Sequence, residues 1–399
     1  MNPVRSLQKH FMLGTLVSLA GMNLACEKNS RSFSLLSESQ NFQQSTAFAQ
    51  KNVDILWVID NSGSMANSQS NLRNNMSAFI NRFSTLGVDY QMAVIGTDAW
   101  LGDARIPQRY PNPTDRSLQF PGYRANLSLF RDGCADIAGQ CLGRTGIYLV
   151  NPLNAIQTFV DLRGVTSNVF SMNSALGIQG SGDERAFHSM IAALENPSNQ
   201  SKVFPRPGSF LSIIILSDED DFSGDATELQ WMSYSNLDRY NVAAPTLQPV
   251  DHYLARLDQL MQSRLNYSVS GIFIKDANCL RQLTGSTTPS PSGRIFGTRY
   301  AEMVSKARGV AGSLCDAEFY QSLTDISENT LALASSFALN RLPRPESIVV
   351  RVNNQLVTPS ETDGWVYVSE SNAIQFRGSA IPAQGSSISV DYDPLVAKN

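Results

Sequence analysis

The residues Val53-Asp54-Ile55-Leu56-Trp57-Val58-Ile59 run, almost wholly apolar, straight into Asp60-Asn61-Ser62-Gly63-Ser64. A run this short and this apolar, closed by a Gly-containing polar turn, predicts a β-strand covered on both faces. Such strands occur where helices pack on either side of a parallel sheet. Two further runs have the same character, 88–96 and 210–217, and a fourth spans 267–274. Between them Leu72, Met76, Phe79, Ile80 and Phe83 recur at helical spacing, predicting a helix over about 65–86. Phe187, Met190, Ile191 and Leu194 mark a second helix, and Tyr253, Leu254, Leu257 and Met261 a third at about 250–264. Helices near 298–308 and 316–335 follow, the latter carrying Phe319, Leu323 and Ile326. Strands alternating with helices predict an α/β fold, a doubly wound, mostly parallel sheet flanked by helices. In such folds ligands bind beyond the C-terminal ends of the strands.

The first apolar run delivers Asp60, Ser62 and Ser64 to that edge. Three hard oxygen donors at i, i+2 and i+4 can curl around one small cation, and Mg²⁺ prefers oxygen ligands in near-octahedral geometry. Hydroxyl ligands carry no charge, so an ion held this way stays electrophilic and seeks an outside carboxylate. The third apolar run ends in Asp218-Glu219-Asp220-Asp221, four adjacent carboxylates that repel one another unless water or a cation relieves them. A solvated acidic loop is expected beyond Asp218, with a calcium-like site on Asp220, Asp221 or Asp225 as its rival. Ser181 and Asp183, in Gly180-Ser-Gly-Asp-Glu-Arg, precede the second helix and are capping types.

Asp60-x-Ser62-x-Ser64 after a buried strand resembles the metal-ion-dependent adhesion site of von Willebrand factor A domains. The resemblance covers about 50–340. It implies that Ser62 and Ser64 bind the metal directly, with Asp60 in the inner shell or acting through water. A hydroxyl from a second loop, at Ser181 or at Thr97 beyond the second strand, and Asp218 from a third would complete the site. The implied metal is Mg²⁺ (or Mn²⁺, with Ca²⁺ also admissible). The implied partner is a protein presenting an Asp or Glu side chain to the open coordination position.

Outside that core the composition changes. Residues 1–25 read as a secretory signal: Arg5 and Lys9 precede an apolar stretch over 11–22, too short to span a bilayer comfortably. Leu24-Ala25-Cys26 resembles a bacterial lipoprotein cleavage site, although Asn23 stands where that pattern has Leu. Two readings of Cys26 stay open, a lipidated first residue of an outer-membrane lipoprotein or an ordinary thiol of a secreted chain. Residues 26–50, rich in Ser, Gln and Asn, read as a tether. Four cysteines remain, an even number in an exported chain. Their simplest pairing is Cys134 with Cys141 and Cys279 with Cys315, and the other two connectivities stay open. Irregular insertions are expected at about 98–150, 222–250 and 276–297. After Pro343 and Pro345, residues 346–395 read as a small all-β module, with Asn353-Asn354 as a two-residue hairpin turn.

The 399 residues carry a net charge of -4, without the basic stripe a nucleic-acid surface needs. The three histidines lack metal-ligand spacing, and Gly180-Ser181-Gly182 is not a nucleophile elbow because Gln179 stands where that motif needs Gly. The expectation is therefore a non-enzymatic, envelope-anchored, metal-dependent binding protein. Its rivals are an envelope assembly protein with a purely structural metal and, least favoured, a hydrolase using the acidic cluster.

Overall fold

Each apolar run becomes a strand whose every residue is buried: β2 (Val53–Ile59), β3 (Tyr90–Gly96), β4 (Phe210–Ser217) and β5 (Tyr267–Phe273). A computed structural model describes residues 42–43, 51–86, 88–102, 170, 174, 176–178, 180, 182, 184–195, 200, 204–224, 247–288, 294–383 and 385–395. With β6 (Ala311–Ser313) the four strands form a five-stranded parallel sheet in the order β3-β2-β4-β5-β6. Cys26, Cys134, Cys141, Ser181, Asp183, Asp225 and most of the first two insertions lie outside the described residues.

The alternation along each strand divides the core in two. Ile55, Trp57 and Ile59 of β2 and Ile214 and Leu216 of β4 face α1 (Ala66–Leu86) and α6 (Tyr320–Ala334). Leu56 and Val58, with Leu211, Ile213 and Ile215, face α2 (Ala186–Glu195), α3 (Val250–Met261) and α5 (Thr298–Lys306). This two-sided covering is why apolar residues fill both faces of each strand and not one face alone, with only a few buried polar residues such as Asp54 and Ser212 among them. Trp57 sits at the centre of the first layer, its ring 5.3 Å from Phe79 and 5.2 Å from Phe170 in edge-on contacts. The residues expected on the inner faces of α1, α2, α3 and α6 are buried. The last helix begins at Tyr320 and not at 316, where Asn71 of α1 accepts the Phe319 N–H through its side chain.

Two local expectations are corrected. Residues 276–297 are not irregular throughout: α4 (Ala277–Thr284) starts where Asp276 caps the Asn278 and Cys279 N–H groups, and stops at Gly285 with φ 75°. The Ser, Pro and Gly around it outweighed the cap in the composition. The strand β6 has no counterpart in the sequence reading, because Ala311, Gly312 and Ser313 have low β propensity. Its approach to β5 needs glycine at 309, where an added Cβ would lie 1.8 Å from the Val269 carbonyl oxygen.

Cys279 of α4 is bonded to Cys315, beyond β6, across a sequence separation of 36 residues. Constraining a loop of that length in the unfolded chain stabilises by about 2–4 kcal/mol. A Cys279→Ser, Cys315→Ser double variant is expected to lose that amount in urea unfolding; an unchanged midpoint would contradict it.

The C-terminal strands form two small antiparallel sheets. One, in the order β1-β12-β8-β9, contains β1 (Phe42–Gln43), β8 (Val349–Val352), β9 (Gln355–Val357) and β12 (Ile388–Asp391). The other, β10-β11-β7, contains β7 (Phe337–Ala338), β10 (Gly364–Val368) and β11 (Ala373–Arg377). Asn353 and Asn354 turn β8 into β9 with φ of 51° and 65°, the paired positive values that a two-residue hairpin needs. Both sheets share apolar neighbours with α1 and α6 through Val350, Trp365, Phe376 and Val390.

Candidate functional site: a loop cluster at the sheet's C-terminal edge

In the sheet register Ile59 is paired with both Gly96 and Leu216, so three strands end level with one another. Asp60, Thr97 and Ser217-Asp218 consequently emerge side by side. The Asp60 N–H donates to the Leu216 carbonyl at 2.8 Å and the Thr97 N–H to that of Ile59 at 3.2 Å, carrying the ladder to the last residue.

Beyond the ladder the first loop folds on its own polar groups. The Ser62 N–H donates to Asp60 Oδ1 at 2.7 Å, a side-chain turn that aspartate forms readily. Ser217 Oγ donates to Asp60 Oδ2 at 2.6 Å. Ser62 Oγ and Ser64 Oγ lie 3.3 Å apart, and Ser64 Oγ donates to Asp218 Oδ1 at 2.9 Å. Asp218 Oδ2 accepts from Arg294 Nε at 2.8 Å. Gln69, near the start of α1, donates to the carbonyls of Asp60 and Gly177, both at 2.9 Å. The second loop comes close as well: the Gly180 N–H donates to the Asn61 carbonyl at 2.9 Å, and an added Cβ there would lie 2.3 Å from the Asn61 side chain.

Four of the five residues expected to hold a metal, Asp60, Ser62, Ser64 and Asp218, thus form one hydrogen-bonded cluster. The fifth, Ser181, is outside the described residues. Thr97 stands at the same edge with its hydroxyl donated to Glu184 Oε2. Glu184 was not expected in the site. It lies in the Gly180-Ser-Gly-Asp-Glu-Arg run, in which Ser181 and Asp183 are capping types and Ser181 the candidate second-loop hydroxyl, and only the fold shows Glu184 to be fully buried beside Thr97.

The electrostatics follow from this crowding. Burial, then the negative charge of Asp218, pushes the Asp60 carboxyl up to about 7. Burial, then Asp60 and Glu219, raises Glu184 well above the usual carboxylate range. The acidic run after β4 is not solvated: Asp218, Glu219, Asp220 and Asp221 are all at most 2% exposed. Asp220 and Asp221 are both engaged by donors within the fold. Asp220 accepts the Arg299 N–H on both oxygens at 3.1 Å and the Asp221 N–H on Oδ1 at 2.9 Å. Asp221 takes the Phe187 N–H, the Ser223 N–H and hydroxyl, and Arg299 Nη2. They fasten this loop to α2 and α5, where partner donors inside the fold replace the water that the sequence reading assumed.

These residues fit a small divalent cation on the chemistry of the donor set. Among the described residues, no three His, Cys, Asp or Glu groups converge as metal ligands. What converges is two carboxylates and two hydroxyls, all hard oxygen donors. An ion held by Ser62, Ser64 and Asp218, with Asp60 beside it, would offset both the burial and the Asp218 charge that raise Asp60. His188 is buried, with its ring 6.2 Å from Trp100 and its backbone N–H donated to Ser223 Oγ.

No family model matches the sequence, and no curated protein matches it. Among solved structures the chain is similar to a von Willebrand factor type A protein from Catenulispora acidiphila, at 14% identity and a TM-score of 0.33, covering 89% of this chain and 61% of that one. It is similar to proximal thread matrix protein 1 of the mussel byssus with a zinc-occupied MIDAS motif, at 11% identity and TM-score 0.35, covering 74% and 51%. It is also similar to the pilus adhesin SpaC of Lactobacillus rhamnosus GG, at 14% and 0.32, covering 86% and 39%. The chain spans less than two thirds of the length of each of these proteins.

Proposed function

We propose that this chain is a non-enzymatic, divalent-cation-dependent protein-binding module of the adhesion type. The observation that carries the reading is the single cluster of Asp60, Ser62, Ser64 and Asp218, drawn from two loops at the C-terminal edge of a parallel sheet. A cation held there by few charged ligands keeps its affinity for oxygen anions, so the partner is a protein presenting an Asp or Glu carboxylate. Mg²⁺ or Mn²⁺ suits the small, hydroxyl-rich donor set, and Ca²⁺ would need more oxygens. The secretory-type segment over residues 1–25 and Cys26 support export and attachment to the cell envelope.

Titration calorimetry with Mn²⁺ tests the metal, and capture from envelope extract with and without EDTA tests the partner. Ser62→Ala is expected to weaken Mn²⁺ binding at least about tenfold, within the range seen when a metal site loses a supporting group. EDTA is expected to release the captured protein. Unchanged Mn²⁺ affinity in Ser62→Ala, together with capture indifferent to EDTA, would overturn the proposal.

A further inference from the structure

Arg294 is the one positive charge that the described contacts place directly on the cluster. Its Nε donates to Asp218 Oδ2 at 2.8 Å, on the oxygen opposite the one that receives Ser64. Its Nη1 donates to the Leu283 carbonyl at 3.0 Å, in the last turn of α4, where the helix dipole favours a cation. The Asp218 side chain is 2% exposed and that of Arg294 27%. One end of the pair is therefore held inside the fold while the other reaches solvent. The backbone follows the side chain, because the next residue, Ile295, donates its N–H to the Asp218 carbonyl at 3.3 Å. Arg294 thus arrives from the third insertion and pins it to the loop that ends β4.

We propose that Arg294 is a resident counter-cation that competes with a divalent ion for Asp218, so that ion binding and release of the 294–295 segment from the cluster are coupled. The inference rests on the metal-site reading above. Its physical basis is that a guanidinium and a divalent ion on the two oxygens of one carboxylate repel each other, and each lowers the attraction of that carboxylate for the other. Arg294 also holds the Leu283 carbonyl through Nη1, so leaving Asp218 would not cost it every bond. Coupling between two ligands of one group is reciprocal, so the arginine weakens the ion by the factor by which the ion weakens the arginine. The insertion would then report whether the site is loaded, and a partner that contacts it would sense the ion without touching it.

The test is Mn²⁺ affinity by calorimetry in the full chain, for wild type, Arg294→Gln and Arg294→Lys, with circular dichroism to verify folding. Arg294→Gln is expected to bind Mn²⁺ at least about tenfold more tightly than wild type, the scale of one competing charge nearby. Arg294→Lys, which keeps the charge, is expected to stay near wild type. Hydrogen exchange supplies a second readout: Mn²⁺ should speed exchange of the Ile295 amide in wild type. Tight binding by Arg294→Gln with none detectable by wild type supports the competition. Equal affinities, or weaker binding by Arg294→Gln, overturn the competition and leave the metal site standing. No binding by any of the three overturns both.

Discussion

Asp60→Asn is expected to make the metal-free protein more stable at pH 8 while abolishing its divalent-cation binding. The two effects share one cause. Asp60 is fully buried and its carboxyl is raised to about 7 by burial and by Asp218. An acid raised in the folded state folds more readily in its neutral form. Its contribution is fully present below the unfolded value of about 3.9, falls as pH rises through the interval, and is gone above about 7. The wild-type apo-protein should therefore lose stability between pH 5 and pH 8 through this group, and the asparagine variant should lack that part of the slope. Asparagine also keeps an oxygen for Ser217 or Ser62 but gives up the charge-assisted bonds from both. The net gain at pH 8 is therefore put at about 1–3 kcal/mol. Urea unfolding in EDTA at the two pH values, with Mn²⁺ calorimetry on the same samples, measures both. A variant that is less stable at pH 8, or that still binds Mn²⁺ as wild type does, would refute the assignment.

The second large effect is at the opposite end of the sheet. Arg206, just before β4, donates Nε to Asp54 Oδ1 at 2.7 Å and Nη1 to Asp89 Oδ2 at 2.8 Å. Its backbone N–H and the Ser209 hydroxyl complete the partners of Asp54, whose side chain is wholly buried. Burial raises the Asp54 carboxyl, and Arg206 pulls it back only in part. Removing the arginine would strand a buried carboxylate, which typically costs about 3–5 kcal/mol. Arg206→Ala is expected to lose that amount in urea unfolding at pH 7. Adding Asp54→Asn to it should recover a large share, because the stranded charge is then gone. A loss below about 1 kcal/mol, or no recovery in the double variant, would mean that Arg206 and Asp54 do not act as one stabilising unit.

The sequence was most legible where one local pattern met one structural demand. The apolar run of β2 could only be a strand covered on both sides, and β4 ends at Ser217 as its run does. Asp60, Ser62, Ser64 and Asp218 could be placed at one edge because each stands at a strand end or in the turn that follows one. What escaped was of two kinds. The strand β6 and the helix α4 are short and made of residues with weak preferences, so their form is set by β5, by the Asp276 cap and by the Cys279–Cys315 bond. Glu184, Asp220, Asp221 and Arg294 escaped because the burial of a charge depends on what the rest of the chain brings to it. Four carboxylates in a row read as solvated until Arg299, Ser223 and backbone amides from α2 and α5 are seen to meet them.

The far cluster has a bearing on alignment. Because β2 and β4 carry apolar residues on both faces, a slide of one past the other by two residues would still hide oily side chains on both sides of the sheet. It would also carry Asp60 away from Asp218 by about 6.6 Å, at the usual rise per strand residue. The guanidinium of Arg206 ties together the beginnings of three neighbouring strands through Asp54, Asp89 and the Val53 carbonyl, and it has no equivalent partners two positions along. It acts as a dowel: a single side chain at one edge favours the alignment in which the oxygens at the other edge meet.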